Sequence, residues 1–90
     1  MIRFNTEALA NAIIVQACDD YRTYRRRLRK ALVKKQRAKT KKDFEEAKAE
    51  ILMMRCEIQN IEKFLRNSDI VALASNGLGE EILRRLKREA

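Results

Sequence analysis

The chain has 90 residues, with 21 Lys or Arg and 13 Asp or Glu, so its formal net charge is +8. It has no Pro, Trp or His and only two Gly, a composition that is typical of long helices and argues against a sheet protein. This length allows one domain at most, spanning residues 1–90, and a monomer of this size buries only a modest core. The sequence has no apolar run long enough to span a membrane and no signal peptide, so we expect a cytoplasmic protein.

The first predicted helix covers residues 5–36. Asn5 is a suitable N-cap because its side chain can accept from free N–H groups of the first turn, and Glu7 suits the positive end of the helix dipole. Phe4 and Leu9 would then form a hydrophobic staple. Apolar residues recur three and four positions apart, which predicts one buried stripe. The stripe comprises Ala10, Ile13 or Ile14, Ala17, Tyr21, Tyr24, Leu28, Ala31 and Leu32.

The second predicted helix covers residues 43–67. Its apolar residues alternate steps of three and four without a miss, which is the seam of a coiled coil or of an antiparallel bundle. Three heptads are equally compatible with a helical hairpin inside a bundle. The seam residues are Phe44, Ala47, Ile51, Met54, Ile58, Ile61 and Leu65.

The connection between these two helices is polar and cationic, and it has no Gly or Pro to force a turn. Thr40, with Asp43 three residues later, resembles a capping pair and predicts a break at residues 37–41. The competing interpretation is one continuous helix of about sixty residues. Helices of that length are rare in globular domains, which favours the hairpin.

A hairpin that turns near residue 39 pairs positions whose numbers sum to about 76 to 78. Gln16 would then lie level with Glu62, and Cys18 and Cys56 would lie roughly opposite each other. Two Cys without His cannot build the usual zinc site in one chain, so we expect no metal and no cofactor. In a reducing compartment both cysteines are expected to be free thiols that pack as small hydrophobes.

Two short helices are predicted after residue 67, over 69–75 and 80–89. Asn76 and Gly77 between them favour a helix end, because Gly readily adopts a left-handed conformation. The predicted fold class is therefore all-α, a long antiparallel helical hairpin plus two short C-terminal helices in an oligomeric helical bundle. We expect at least a dimer, because the two stripes offer more apolar surface than the short helices can cover.

Catalytic machinery is largely missing from the sequence. There is no His to transfer protons near neutral pH, no Gly-rich phosphate loop and no Gly-x-Ser-x-Gly turn. Acidic pairs such as Asp19 and Asp20 are adjacent in a helix, so they point about 100° apart and do not converge on one reacting atom. We therefore expect no enzymatic activity.

Residues 22–42, which we call the basic segment, hold twelve Lys or Arg and no Asp or Glu. The rest of the chain has nine basic and thirteen acidic residues, so the positive excess belongs to this segment. Such a block attracts anionic partners and neutralises phosphates without reading bases. The alternative is a solvated helix surface balanced by the acids of the second helix. The candidate anion-binding residues are Arg22, Arg25, Arg26, Arg29, Lys30, Lys34 and Arg37.

A second candidate site is a set of polar residues on or beside the apolar stripes. Burying them costs free energy unless they are paired. Glu62 and Arg66 are four residues apart and can pair, and Gln16 would extend a polar row across the hairpin. This row is either a structural network that sets the register of the hairpin or a site for a small ligand or partner. Its members are Gln16, Asp20, Tyr21, Arg22, Glu62, Arg66 and Ser68.

Residues 12–22, AIIVQACDDYR, resemble the AII-x-QA-x-x-DYR opening of small uncharacterised proteins of phages and prophages of Gram-positive bacteria. Those proteins also carry a Glu-x-Phe-Phe-Arg-Ser stretch, similar to EKFLRNS at 62–68, and a final Gly-Glu-x-x-Ile/Leu helix, similar to GEEIL at 79–83. The second motif departs from the pattern at Leu65 and at the additional Asn67. The resemblance skips the basic segment and implies a phage source. By analogy with other small phage proteins, we expect the chain to bind and block a component of the bacterial host cytoplasm.

Together these observations predict a non-catalytic accessory or counter-host protein that binds nucleic acid or an acidic host protein through the basic segment. One alternative is an oligomeric sponge that sequesters a small cyclic nucleotide immune signal, using Asp20, Arg22 and Arg66 in an oligomer cleft. Another is a structural or assembly factor whose charge only keeps it soluble.

Overall fold

Four helices make up most of residues 5–74 and 77–89, the parts of the chain that the computed structural model describes. They are α1 (Thr6–Arg37), α2 (Lys41–Asn67), α3 (Asp69–Leu73) and α4 (Leu78–Glu89), and these described parts contain no strand. The prediction of an all-α chain with a long helix pair followed by short helices is confirmed. None of these helices is long and apolar enough to cross a membrane within the described ranges.

The N-terminus of α1 is capped as the sequence predicts. Asn5 has an extended backbone, and its Oδ1 accepts a hydrogen bond from the backbone N–H of Ala8 at 3.1 Å. The helix itself therefore begins at Thr6, one residue after the cap. The predicted staple pairs Leu9 with Phe4, and Phe4 lies outside the described residues; Leu9 is 56% exposed.

The turn between the long helices occupies residues 38–40, inside the predicted break, so the continuous-helix interpretation is wrong. Ala38 and Thr40 both have extended backbones, and the Thr40 hydroxyl accepts from the backbone N–H of Asp43 at 3.1 Å. Because Thr40 is the cap, α2 begins at Lys41, two residues earlier than predicted. This capping satisfies part of the first turn of α2 without a Gly or Pro.

The core follows the two predicted stripes. In α1 and α2 the buried apolar residues are Ala10, Ile14, Cys18, Tyr21, Ala31, Ala47, Ile51, Met54, Ile58 and Leu65. Leu32 and Phe44 depart from the stripes, since both are 38% exposed. They lie near the turn, where α3 and α4 do not reach and the hairpin is two helices thick. The Phe44 ring is not covered by a third helix of the described ranges but lies beside Lys35, whose ammonium is 5.5 Å from the ring centre.

The C-terminal helices thicken the other end of the hairpin. Leu83 and Leu86 of α4 are buried in one cluster with Ile14, Tyr21 and Leu65. The Ser68 backbone N–H donates to the Phe64 carbonyl, and its hydroxyl accepts from the Ile70 N–H at 3.2 Å, so Ser68 joins α2 to α3.

Both short helices differ in length from the prediction. α3 ends at Leu73 rather than at 75, and α4 begins at Leu78 rather than at 80. Gly77 has φ +71°, the left-handed conformation that the sequence predicts there, while Asn76 lies outside the described residues. The described residues extend over 60 × 29 × 17 Å.

Candidate functional site

The basic segment forms the distal half of α1, the turn and the start of α2. Arg22, Arg26, Arg29 and Arg37 are separated by steps of three or four residues or their multiples, so they share one face of α1, and all four are exposed. This face points away from the stripe that contains Tyr21. The segment therefore presents a row of guanidinium groups to solvent.

Some cations of the segment are balanced by acids of α2. The Arg27 guanidinium donates to Glu50 Oε1 at 3.0 Å across the hairpin, with both side chains partly exposed. Their numbers sum to 77, which is the pairing that a turn near residue 39 predicts. This contact agrees with the alternative in which the acids of the second helix offset part of the basic charge.

Near the turn, a groove of about 540 Å³ lies between the end of α1 and the start of α2. Its α1 side carries Lys34 and Arg37, and its α2 side carries Asp43, Glu46 and Glu50. With two cations and three carboxylates, the groove does not favour a polyanion. Lys34 and Arg37, both candidate anion-binding residues, therefore lie beside acidic side chains.

Arg26 and Arg29 lie on the exposed arginine row, and the neighbouring Lys30 lines a cavity of about 150 Å³ with Glu50. All three are exposed, and among the residues that the structure describes they form no ion pair. Exposed cations without an ion pair interact with an approaching anion without first breaking an internal salt bridge. These three residues are therefore the strongest part of the candidate anion-binding surface.

Arg25 has an internal role. Its Nη1 donates to the Tyr21 hydroxyl oxygen at 2.7 Å, and its guanidinium carbon lies 5.4 Å from the centre of the Tyr21 ring. The side chain is half-buried. Arg25 therefore belongs to the polar network beside the core.

Tyr21 is the centre of this network. Its side chain is fully buried, and its hydroxyl donates to Glu62 Oε1 at 3.1 Å. The other oxygen of Glu62 lies 3.6 Å from the Lys87 ammonium of α4. Burial raises the pKa of Tyr21, and the hydrogen bond from Arg25 opposes that increase. The chain Arg25–Tyr21–Glu62–Lys87 thus connects α1, α2 and α4, as expected for a structural network.

Gln16 and Asp20, two other predicted members of the polar row, pair with each other. The Gln16 amide donates to Asp20 Oδ1 at 3.1 Å within α1, so it does not meet Glu62 across the hairpin. Glu62 pairs with Lys87 rather than with Arg66, which has no ion pair among the described residues. Glu62 therefore pairs with α4 instead of with Arg66. The sequence did not indicate which part of the hairpin α4 packs against.

Arg22 and Arg66, which the nucleotide-sponge hypothesis brings together, line different cavities. Arg22 lines a cavity of about 260 Å³ with Asp19 and Arg85. Arg66 lines one of about 360 Å³ with Glu80, Arg84 and Lys87. The cavities formed by the described residues therefore place Arg22 and Arg66 apart, and the hypothesis would need a cleft between chains.

The two cysteines are both free, but their environments differ. Cys18 is buried in the core, where burial raises the pKa of its thiol and the nearby Arg22 opposes the increase. Cys56 is exposed, and its sulfur lies 3.9 Å from the Asn60 amide nitrogen. The prediction of a thiol packed as a small hydrophobe is thus correct for Cys18 and wrong for Cys56, which points away from the seam.

Metal ligation has no candidate in the described ranges 5–74 and 77–89, where no three His, Cys, Asp or Glu side chains are grouped suitably. Comparison with known protein families, curated protein sequences and solved structures finds no match. The function therefore has to be inferred from the chain's own residues.

Proposed function

We propose that this chain is a non-catalytic binding protein whose basic segment binds the phosphate backbone of nucleic acid. The observation that carries this proposal is the exposed group Arg26, Arg29 and Lys30, which has no ion pair among the described residues. Twelve cations and no carboxylate lie in residues 22–42, which is the electrostatic pattern of phosphate recognition.

The geometry of α1 suits an extended anion. From Arg22 to Arg37 the arginine row is about 22 Å long, because a helix rises about 1.5 Å per residue. The row lies on one continuous helix, so its cations keep a fixed spacing that a folded or coiled acidic peptide would have to match. A phosphate backbone supplies negative charges in a continuous, regular row, which favours nucleic acid over an acidic host protein.

The same geometry favours binding without a preference for base sequence. The Tyr21 ring is fully buried beneath Arg25, and stacking on a more accessible ring such as Phe44 would tolerate every base, because each base has a π-face. Contacts from Arg and Lys to phosphates position a protein but do not read bases. We therefore expect similar affinities for duplexes of different sequence and equal length.

Fluorescence anisotropy with a labelled DNA duplex of about 20 base pairs tests this proposal. Neutralising the exposed group (Arg26→Gln, Arg29→Gln, Lys30→Gln) should weaken binding at least tenfold at low salt. The control variant Arg55→Gln, Arg84→Gln, Arg88→Gln loses the same charge from exposed positions outside the basic segment, and it should bind within about threefold of the unmodified chain. Equal loss in both variants, or no binding at all, contradicts the proposal.

We also infer that the chain acts as an oligomer, at least a dimer, in a bacterial host cytoplasm, as a phage-type accessory protein that counters a host component. The resemblance of residues 12–22 and 79–83 to phage proteins supports the setting. The oligomer is supported by large apolar side chains left exposed on the described residues. These are Leu9, Val15, Leu32, Val33, Phe44, Leu52, Met53 and Leu73.

A further inference from the structure

The outward side of α2 carries a second stripe that the hairpin does not use. It repeats at steps of four and three residues, like the buried seam, but on the opposite side of the helix. In the middle of this stripe, Leu52 is 60% exposed and the adjacent Met53 is 56% exposed. We call this stripe the α2 outer face. It consists of Glu45, Ala49, Leu52, Cys56, Gln59 and Lys63, all of them exposed.

Single exposed apolar residues are normal on a protein surface, but a cluster on one helix face is not. Ala49, Leu52, Met53 and Cys56 are one, three or four residues apart and form a continuous patch in the middle of α2. Ile51 and Met54, which flank Leu52 and Met53 in sequence, are buried in the hairpin. α2 thus has one apolar side that packs on α1 and a second that remains open.

The ends of the α2 outer face carry opposite charges. Glu45 lies at its N-terminal end and Lys63 at its C-terminal end, nine residues on either side of position 54. A second copy that lies antiparallel about position 54 places Glu45 of each chain opposite Lys63 of the other, and Leu52 opposite Cys56. A parallel arrangement would place like charges together at both ends.

Repulsion between the cationic turns also favours the antiparallel over the parallel arrangement. In the antiparallel arrangement the two turns lie on opposite sides of the two-fold axis, about 45 Å apart at 1.5 Å per residue. That distance is several times the Debye length of about 8 Å at physiological salt, so the cations at one turn barely repel those at the other. Parallel packing would set them side by side.

We propose that a second copy of this chain docks antiparallel on the α2 outer face, with the two-fold axis near residue 54. This inference rests on the oligomer proposed above and assigns it an interface. The contact strip from Glu45 to Lys63 is about 27 Å long and one helix wide, which is small for a stable dimer. The dimer therefore forms in the micromolar range and presents one cationic turn at each end.

Sedimentation equilibrium of the full chain over about 1 to 200 µM tests the interface. The mass of the unmodified chain should rise from 10.6 kDa toward twice that value. Glu45→Lys and Lys63→Glu should each raise the dissociation constant about tenfold, because each creates two repulsive contacts per dimer. The double variant should return to within about threefold, because the charges are then exchanged across the axis.

Matched variants separate this interface from other causes. Glu80→Lys and Arg88→Glu, each made singly, carry the same charge changes on exposed residues of α4 and should each leave the dissociation constant unchanged. Leu52→Gln with Met53→Gln should abolish the dimer, whereas Leu9→Gln with Leu73→Gln, at 56% and 53% exposure, should not. Circular dichroism confirms that each variant stays helical.

These experiments distinguish an error in this interface from an error in the proposed oligomer. A mass that stays at 10.6 kDa at every concentration overturns both the interface and the proposed oligomer. A dimer that survives the Leu52 and Met53 changes, or that the double charge exchange fails to restore, overturns this interface and leaves the oligomer in place. DNA affinity measured by anisotropy reports separately on the basic segment.

Discussion

The Tyr21 hydroxyl lies 3.1 Å from the Glu62 carboxylate, and this contact joins the middle of α1 to the C-terminal part of α2 across 41 positions of the chain. Glu62 also contacts Lys87 of α4 at 3.6 Å. One buried phenol therefore holds the register of the hairpin and the position of the last helix. The Tyr21 hydroxyl also accepts a hydrogen bond from Arg25, whose guanidinium lies over the Tyr21 ring.

Removing this hydroxyl tests the structural role of the network. We expect Tyr21→Phe to lower the free energy of unfolding by about 1 to 2 kcal/mol, because Glu62 and Arg25 lose a partly buried partner. Urea denaturation followed by circular dichroism measures the change. The control is Tyr24→Phe, since the half-buried Tyr24 has no hydroxyl hydrogen bond among the described residues. An equal loss in both variants would show that the network contributes nothing.

Alkaline pH tests the environment of Tyr21 in a second way. Burial raises the pKa of Tyr21 in the folded chain above its ordinary value near 10. The folded state therefore holds the phenol proton more tightly than the unfolded state, so this contribution is complete below pH 10 and is lost as the pH rises through the folded pKa. Urea midpoints measured between pH 8 and pH 11 should fall more steeply for the unmodified chain than for Tyr21→Phe. Parallel pH profiles would contradict a raised pKa.

The two thiols should react at different rates. Cys56 is exposed in the single chain, whereas Cys18 is buried and has a raised pKa. At protein concentrations where the proposed dimer is dissociated, a disulfide reagent at pH 8 should therefore modify one thiol per chain rapidly. Cys56→Ser should remove the rapid phase and Cys18→Ser should retain it. In urea both thiols should react together. A rapid phase that survives Cys56→Ser would place Cys18 at the surface.

The Thr40 cap should stabilise the turn. Thr40→Ala removes the hydroxyl that accepts from the Asp43 N–H, and we expect a loss of about 1 kcal/mol in the free energy of unfolding. Thr23→Ala, at an exposed position inside α1, is the matched control and should be neutral or slightly stabilising because Ala favours helices. Equal stability of the two variants would mean that another feature sets the turn.

Much of the fold could be predicted from local patterns. Asn5 and Thr40 carry cap chemistry that acts within three residues, and the repeat from Ala47 to Leu65 identifies a buried face without any knowledge of its partner. These signals depend on neighbours in sequence, so reading them does not require the tertiary structure.

The polar contacts of the candidate site depend instead on how the elements pack. Glu62 has Arg66 four residues away, yet it pairs with Lys87 because α4 packs against the hairpin there. Nothing in the sequence sets that position of α4. By contrast, the contact of Arg27 with Glu50 follows the register that the turn predicts, so facing positions near the turn could have identified it.

The salt dependence of DNA affinity tests the role of the basic segment most directly. Binding through phosphates releases counterions, so the logarithm of the association constant should fall linearly with the logarithm of salt concentration. We expect the Arg26, Arg29 and Lys30 triple variant to lose about two to three units of that slope, one for each cation removed, while the charge-matched control variant keeps it. Identical slopes for the triple variant and the unmodified chain would contradict binding through this segment.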